Sequence, residues 1–171
     1  MATIFETEAA PKLQSLAPDT LERVLAVGSA VLLAAVVAAL VRGHAHWGEI
    51  PGIVWAHLLT IMIALVLTAT MLLRRRGDRP HRVLGTIWVV AMLATALISF
   101  GVRQTNPGGF SFIHIISAWT VIQVPIIWWS ARTHNIVRHR RSVRGMVIGA
   151  LLVAGFFTFP FHRLLGQWLF G

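Results

Sequence analysis

Residues 110–129 read FSFIHIISAWTVIQVPIIWW, twenty positions without one Asp, Glu, Lys or Arg. At 1.5 Å per residue a helix of that length covers ~30 Å, the thickness of a bilayer's hydrocarbon core. The stretch therefore reads as a membrane crossing, with Pro125 expected to bend it where a neighbouring helix satisfies the freed carbonyl. His114, near its front, is the anomaly: an imidazole at that depth calls for a partner inside the protein.

The rest of the chain repeats this pattern. Of 171 residues, 56% are hydrophobic and only 12% charged, and the mean hydropathy is +0.72. The formal charge of +9 is carried by arginines flanking the apolar runs. That placement marks membrane orientation and argues against a nucleic-acid partner. With no cysteine, disulfides, iron–sulfur clusters and a thiol nucleophile are excluded, and no tyrosine is present to relay protons or radicals. Gly-x-Ser-x-Gly, P-loop and His-Glu-x-x-His patterns are missing. Glu6, Glu8, Asp19 and Glu22 belong to the N-terminal region, Glu49 and Asp78 to loops.

Five spans follow, at about 21–42, 51–73, 82–102, 110–132 and 143–161. Asp19 and Glu22 form a capping box ahead of the first. Residues 1–20 carry acids where a signal peptide has its basic region, so they read as a retained cytoplasmic or interfacial segment, and 162–171 as an interfacial tail. The loops between spans two and three and between four and five hold Arg74, Arg75, Arg76, Arg79, Arg82, Arg132, Arg138, Arg140, Arg141 and Arg144. Only Arg42, Arg103 and Arg163 fall on the opposite side. In a bacterial inner membrane this predicts a cytoplasmic N-terminus and a periplasmic C-terminus. Trp47, Trp55 and Trp168 then mark the outer interface, Trp128 and Trp129 the inner one.

Span two laid over span four aligns His57-Leu58-Leu59-Thr60 with His114-Ile115-Ile116-Ser117. Continuing through each hairpin, His81 follows His57 by 24 residues and His139 follows His114 by 25. The shared order suggests two related hairpins, spans two–three and four–five, forming a four-helix bundle beside a peripheral first span. In such a bundle His57 and His114 oppose one another at equal depth, and His81 and His139 do so near the inner surface. Two opposed neutral imidazoles are the axial ligands that haem b requires. Thr60 and Ser117 share a helical face with the outer histidines and would orient them. The same histidines would serve equally in a cofactor-free bundle, as hydrogen-bonding groups that lock the hairpins together.

The layout resembles the transmembrane diheme cytochromes b, in which alternate helices supply histidine pairs to an outer and an inner haem. Over about two thirds of the chain the sequence also resembles a bacterial membrane-protein family known as domain of unknown function 2306. The residues carrying that likeness are His57, GDRPHRVLG at 77–85, FSFIH at 110–114, HRRSVRG at 139–145 and GALLVAGFFTFPFHRLLG at 149–166. The family's closing stretch tends to hold a Pro-Gly-Arg turn, and Pro160-Phe161-His162-Arg163 departs from it here. The resemblance implies a multi-span bundle and no particular activity.

Two further groups are candidates. His44, His46 and Glu49, with help from His162, have side chains suited to zinc. Arg103, His162 and Arg163 would form an electropositive vestibule suited to an anion or a quinone head group. Gly145, Gly149 and Gly155 provide small positions for close helix packing. The sequence thus points to a small b-type cytochrome-like protein passing electrons between quinone and another carrier. Its competitor is a non-catalytic accessory subunit of a larger respiratory or photosynthetic complex.

Overall fold

Asp19 and Glu22 begin the first helix by capping each other. The Asp19 carboxylate accepts the Glu22 backbone N–H at 3.0 Å, and the Glu22 carboxylate accepts that of Asp19 at 3.1 Å. In the computed structural model, which describes residues 17–102, 112–160 and 162–171, all regular structure is helical. Helix α1 runs Thr20–Arg42, and a 3-10 turn, His44–Glu49, leads through Pro51 into α2, Gly52–Leu72. Helix α3, Arg79–Ser99, starts three residues before the expected boundary because Asp78 accepts the His81 N–H and Pro80 suits the first turn. Helix α4, Phe112–Arg132, contains Pro125 without being ended by it. His134, at φ 55°, turns the chain, and Asn135 caps α5, Ile136–Met146.

No break follows α5. It passes directly into a π-helical segment, Val147–Val153, and then α6, Ala154–Phe156. The helix expected at 143–161 thus lies earlier in the chain, because the Asn135 cap draws the arginine-rich turn into it. The tail forms a short helix of its own, α7, Leu164–Phe170. Among these helices α1, α2 and α3 are long and apolar enough to cross a membrane.

Consecutive helices are neighbours from α1 to α5, and the π segment returns to pack on α1, which also carries α7. The first helix is therefore a member of the ring, which corrects the expected four-helix bundle with a peripheral first span. Leu25 and Ala26 of α1 share the main core with Leu65, Met92, Val124, Ile127, Met146 and Leu151. The small face of α1 explains this. A Cβ at Gly28 would sit 3.4 Å from Leu152, and one at Gly155 would lie 2.5 Å from Leu32. Close approach is thus made at Gly28 and Gly155, whereas Gly145 has open space around it. The opposite face of α1, with Val24, Val27, Val31 and Val41, is exposed and apolar, as a lipid-facing stripe must be.

Candidate functional site: two cavities at opposite ends of the helical ring

At one end of the ring a carboxylate is buried among arginines. Glu22 is 1% exposed. Its Oε1 accepts from Arg140 Nε at 3.1 Å and from Arg144 Nη2 at 2.8 Å, and its Oε2 accepts from Arg76. Asp19 joins through Arg140 Nη2 at 2.9 Å and through Arg144. A buried ion is tolerable only when its lone pairs are met by donors, and here they are. Two carboxylates face three guanidiniums, so one positive charge is left over. Burial, with Arg140 and Arg144 close by, lowers the Arg76 pKa to about 10 against the opposing pull of Asp19. It remains a cation at neutral pH.

This cluster borders a cavity of about 430 Å³, within the ~300–1,000 Å³ typical of small-molecule and cofactor sites. Trp88, Val89, Ile127, Val143 and Val147 give it apolar walls, while Arg79, Arg82 and Arg132 also line it. Arg132 lies over the Trp128 ring at 4.7 Å from its centroid, a cation–π contact. Trp88 is held by its Nε1–H, which donates to Thr68 Oγ1 at 2.7 Å. His81 and His139 line this same cavity and lie within electrostatic reach of each other. His139 Nδ1 is 3.2 Å from the Ile127 carbonyl oxygen. The Nδ1 of His81 is buried with no hydrogen-bond partner among the described residues.

A second cavity, about 480 Å³, lies toward the other end. Leu65 and Met92 are among its lining residues and share the main core with the fully buried Val124 and Leu151. His57 lines it together with Thr95, Ser99, Ser117 and Thr120, as do His162, Arg163 and Gln167. His114 is not among its lining residues. That ring is buried, with its centroid 6.0 Å from that of Phe100.

The structure thus sorts the sequence candidates unevenly. The inner histidines, His81 and His139, line one cavity; His57 lines the other, and His114 is not among the lining residues of either. Thr60 donates to the carbonyls of Ala56 and His57 in its own helix, and Ser117 bonds Ser99. Of the vestibule set, His162 and Arg163 are together, and Arg103 lies outside the described residues. His46 Nδ1 approaches Glu49 at 3.3 Å, but His44 Nδ1 turns to the Val41 carbonyl. No cluster of three or more metal-ligating side chains occurs among the described residues. Sequence reasoning treated Glu22 only as a cap and missed its place in the buried ion cluster. The available signal was a pair of acids, Asp19 and Glu22, at the mouth of a span, with ten arginines in the loops on the same side.

No protein-family model matches the chain, and no curated protein or solved structure is significantly similar to it.

Proposed function

We propose that the chain is an electron carrier of a bacterial inner membrane whose basic cavity would hold haem b through the imidazoles of His81 and His139. The observation that carries this reading is a pair of imidazoles, from α3 and α5, lining one apolar-walled cavity. A histidine ligates iron through an unprotonated nitrogen, and a hydrogen bond from its other nitrogen fixes the tautomer. With Nδ1–H donating to the Ile127 carbonyl, His139 keeps Nε2 as a lone-pair donor. The arginines of the rim, Arg79, Arg82 and Arg132, suit the propionate carboxylates of the porphyrin. Bound there, haem supplies a one-electron couple whose potential its surroundings set.

Two separate stretches of sequence meet at this cavity. GDRPHRVLG contributes His81, and HRRSVRG contributes His139, Arg140 and Arg144. This reading moves the haem from the His57–His114 level to the His81–His139 level. Five crossings accompany it: α1 to α4 each span once, and the unbroken helix from α5 through α6 makes a short fifth, with its arginine-bearing first turns at the cytoplasmic surface. The arginine loops then face the cytoplasm together with the N-terminus, and the C-terminus lies on the periplasmic side.

A visible spectrum of the purified protein is the test. A sharp α-band on dithionite reduction is expected, lost in His81→Ala and His139→Ala and kept in His57→Ala. A colourless, well-folded protein from haem-replete cells overturns the proposal and favours a non-catalytic subunit of a larger membrane complex, for which stoichiometric co-purification is the check. The cysteine-free chain also makes topology mapping direct. An impermeant thiol reagent added to intact spheroplasts is expected to label Gly48→Cys and to spare Arg75→Cys.

A further inference from the structure

The exposed residues that line the basic cavity fall together. Arg79, Arg82, Val83 and Thr86 all line it and are exposed, Val83 at 53%. At offsets of three, four and seven residues they share one face of α3. Ala131 and Arg132, at the end of α4, are likewise exposed and lining. A side chain that borders a cavity and also meets the surroundings marks its mouth, so the cavity opens between α3 and α4. The ion cluster forms a different border: Glu22, Arg76 and Arg140 line the same cavity with side chains at most 15% exposed.

The mouth is graded in polarity. Arg79 and Arg82 stand in the first turn of α3 and Arg132 closes α4, so the guanidiniums gather at one end. Thr86 lies four residues, ~6 Å, further along α3 than Arg82, and its hydroxyl is spent on the Arg82 carbonyl at 2.9 Å. Trp88, Val89 and Ile127 continue the wall inward. Arg79 and Arg82 have no hydrogen-bond or ion-pair partner among the described residues, and Arg132 has the Trp128 ring. Their three charges add to the one left over by the ion cluster, while Glu22, the one acid among the described lining residues, is already committed to that cluster. Both propionates of a haem would match two of these four charges and leave two.

Unmatched positive charge above an apolar opening selects an anionic amphiphile. A small soluble anion gains nothing from the apolar walls, and a zwitterionic lipid brings its own cation into the positive field. The cytoplasmic leaflet, toward which the arginine loops are expected to face, is where acidic lipids meet such basic pockets. We infer that an acidic phospholipid of the membrane binds in this mouth, with its phosphate on Arg79, Arg82 and Arg132 and one acyl chain against Val83, Thr86 and Val89. The inference goes beyond the haem reading and does not need it.

The experiment is native mass spectrometry of the purified, delipidated full chain titrated with phosphatidylglycerol and, in parallel, with phosphatidylcholine of the same acyl chains. One phosphatidylglycerol per chain is expected to bind with about tenfold preference, the scale of one or two charge contacts at a membrane surface. The triple variant Arg79→Gln/Arg82→Gln/Arg132→Gln is expected to lose that preference. Arg75→Gln/Arg138→Gln/Arg141→Gln removes as many exposed charges from the same side but none that lines the cavity, and is expected to keep it. Val83→Glu sets a carboxylate four residues after Arg79 and provides the check should the first triple variant fail to fold. No preference in the unsubstituted protein, a preference that survives loss of the cavity arginines, or equal loss in the two triple variants overturns the inference. So does displacement of the lipid by millimolar inorganic phosphate, which would leave a site for free anions only. Colourless protein that prefers phosphatidylglycerol sinks the haem reading alone; red protein without the preference sinks this one alone.

Discussion

The two ends of the helical ring solve the problem of polar groups in an apolar medium in different ways. At the basic end, Glu22 and Asp19 are tied to three arginines that arrive from the α2–α3 loop and from α5. Full charges are buried there because each finds an opposite charge, and three separate stretches of chain are fixed together as a result. At the other end the polar groups are hydroxyls bonded to their own helices, the Ser99–Ser117 pair between α3 and α4, and the histidines His57 and His114. A hydroxyl's bond to its own helix is local and holds no helix to another. The difference assigns rigidity to one end and spare hydrogen-bonding capacity to the other.

Removing Glu22 is the severest way to break that contrast. Glu22→Gln leaves three guanidiniums short of their central acceptor, and the loss of one member of a buried ion pair costs about 3–5 kcal/mol. Thermal unfolding of detergent-solubilised protein is expected to show the largest drop in Tm for this variant. Thr60→Ala at the opposite end, whose hydroxyl bonds only Ala56 and His57 in its own helix, is expected to change Tm little. Comparable losses in the two variants would mean that the ion cluster does not anchor the fold.

Packing gives the next effect, and it belongs to the opposite end. A Cβ on Gly166 would lie 1.7 Å from the Phe159 carbonyl oxygen, which is backbone and cannot swing aside. Gly166→Ala must push α7 off its seat, and overpacking of this kind costs about 1–3 kcal/mol. Gly145→Ala, with nothing within 4 Å of the added methyl, is expected to raise Tm slightly through helix propensity alone. The pair of Tm values separates the docking of α7 from helix propensity, because alanine is favoured over glycine in both helices.

Much of this was legible in the sequence. Apolar runs opened by Asp19 and Pro51 mark helices, because caps and prolines act locally and can be read one residue at a time; the caps at Asp78 and Asn135 went unread, so α3 and α5 begin earlier than expected. The place of α1 in the ring was not legible. Its small residues and uniformly apolar character fit a peripheral helix as well as a ring member, and only the meeting of Gly28 with Leu152 and of Gly155 with Leu32 decides between them. The histidine pairs differ in the same way. Spacing fixed their depth along the helices but not their rotation about them. His81 and His139 line one cavity, whereas His57 lines the other and His114 lies near Phe100, just past α3. Helix rotation is set by side-chain packing across the ring, which hairpin symmetry does not determine.

Within the basic end itself, Trp88 tests whether the cavity wall needs its hydrogen bond. Trp88→Phe removes the N–H that Thr68 Oγ1 accepts, while Thr68 keeps its own bond to the Ala64 carbonyl at 2.7 Å. Since no buried donor is orphaned, the loss is expected to be about 1 kcal/mol, the net worth of a single hydrogen bond. A much larger loss would show that the indole ring supports the cavity by volume, which Trp88→Leu would then reproduce.

The smallest effect is electrostatic and confined to the α2–α3 turn. Asp78 has its carboxyl pKa lowered, chiefly because it accepts the His81 backbone N–H and secondarily through Arg74. A depressed carboxyl pKa contributes stability that is fully present above the unfolded value and is lost as pH falls through the folded one. The start of α3, and with it the position of His81, is therefore expected to loosen only below the usual carboxylate range, near pH ~4. Backbone hydrogen exchange at Arg82 and Val83 should rise there, after correction for the intrinsic pH dependence of exchange. In Asp78→Asn, which keeps an uncharged cap, that acid-dependent component should vanish. Because the side chain is exposed, salt should weaken the Arg74 contribution and leave the backbone bond in place. Acid loosening that reaches the Glu22 cluster at the same pH would mean that the turn and the buried ions open as one unit, and the basic end would then be less rigid than its ion pairs imply.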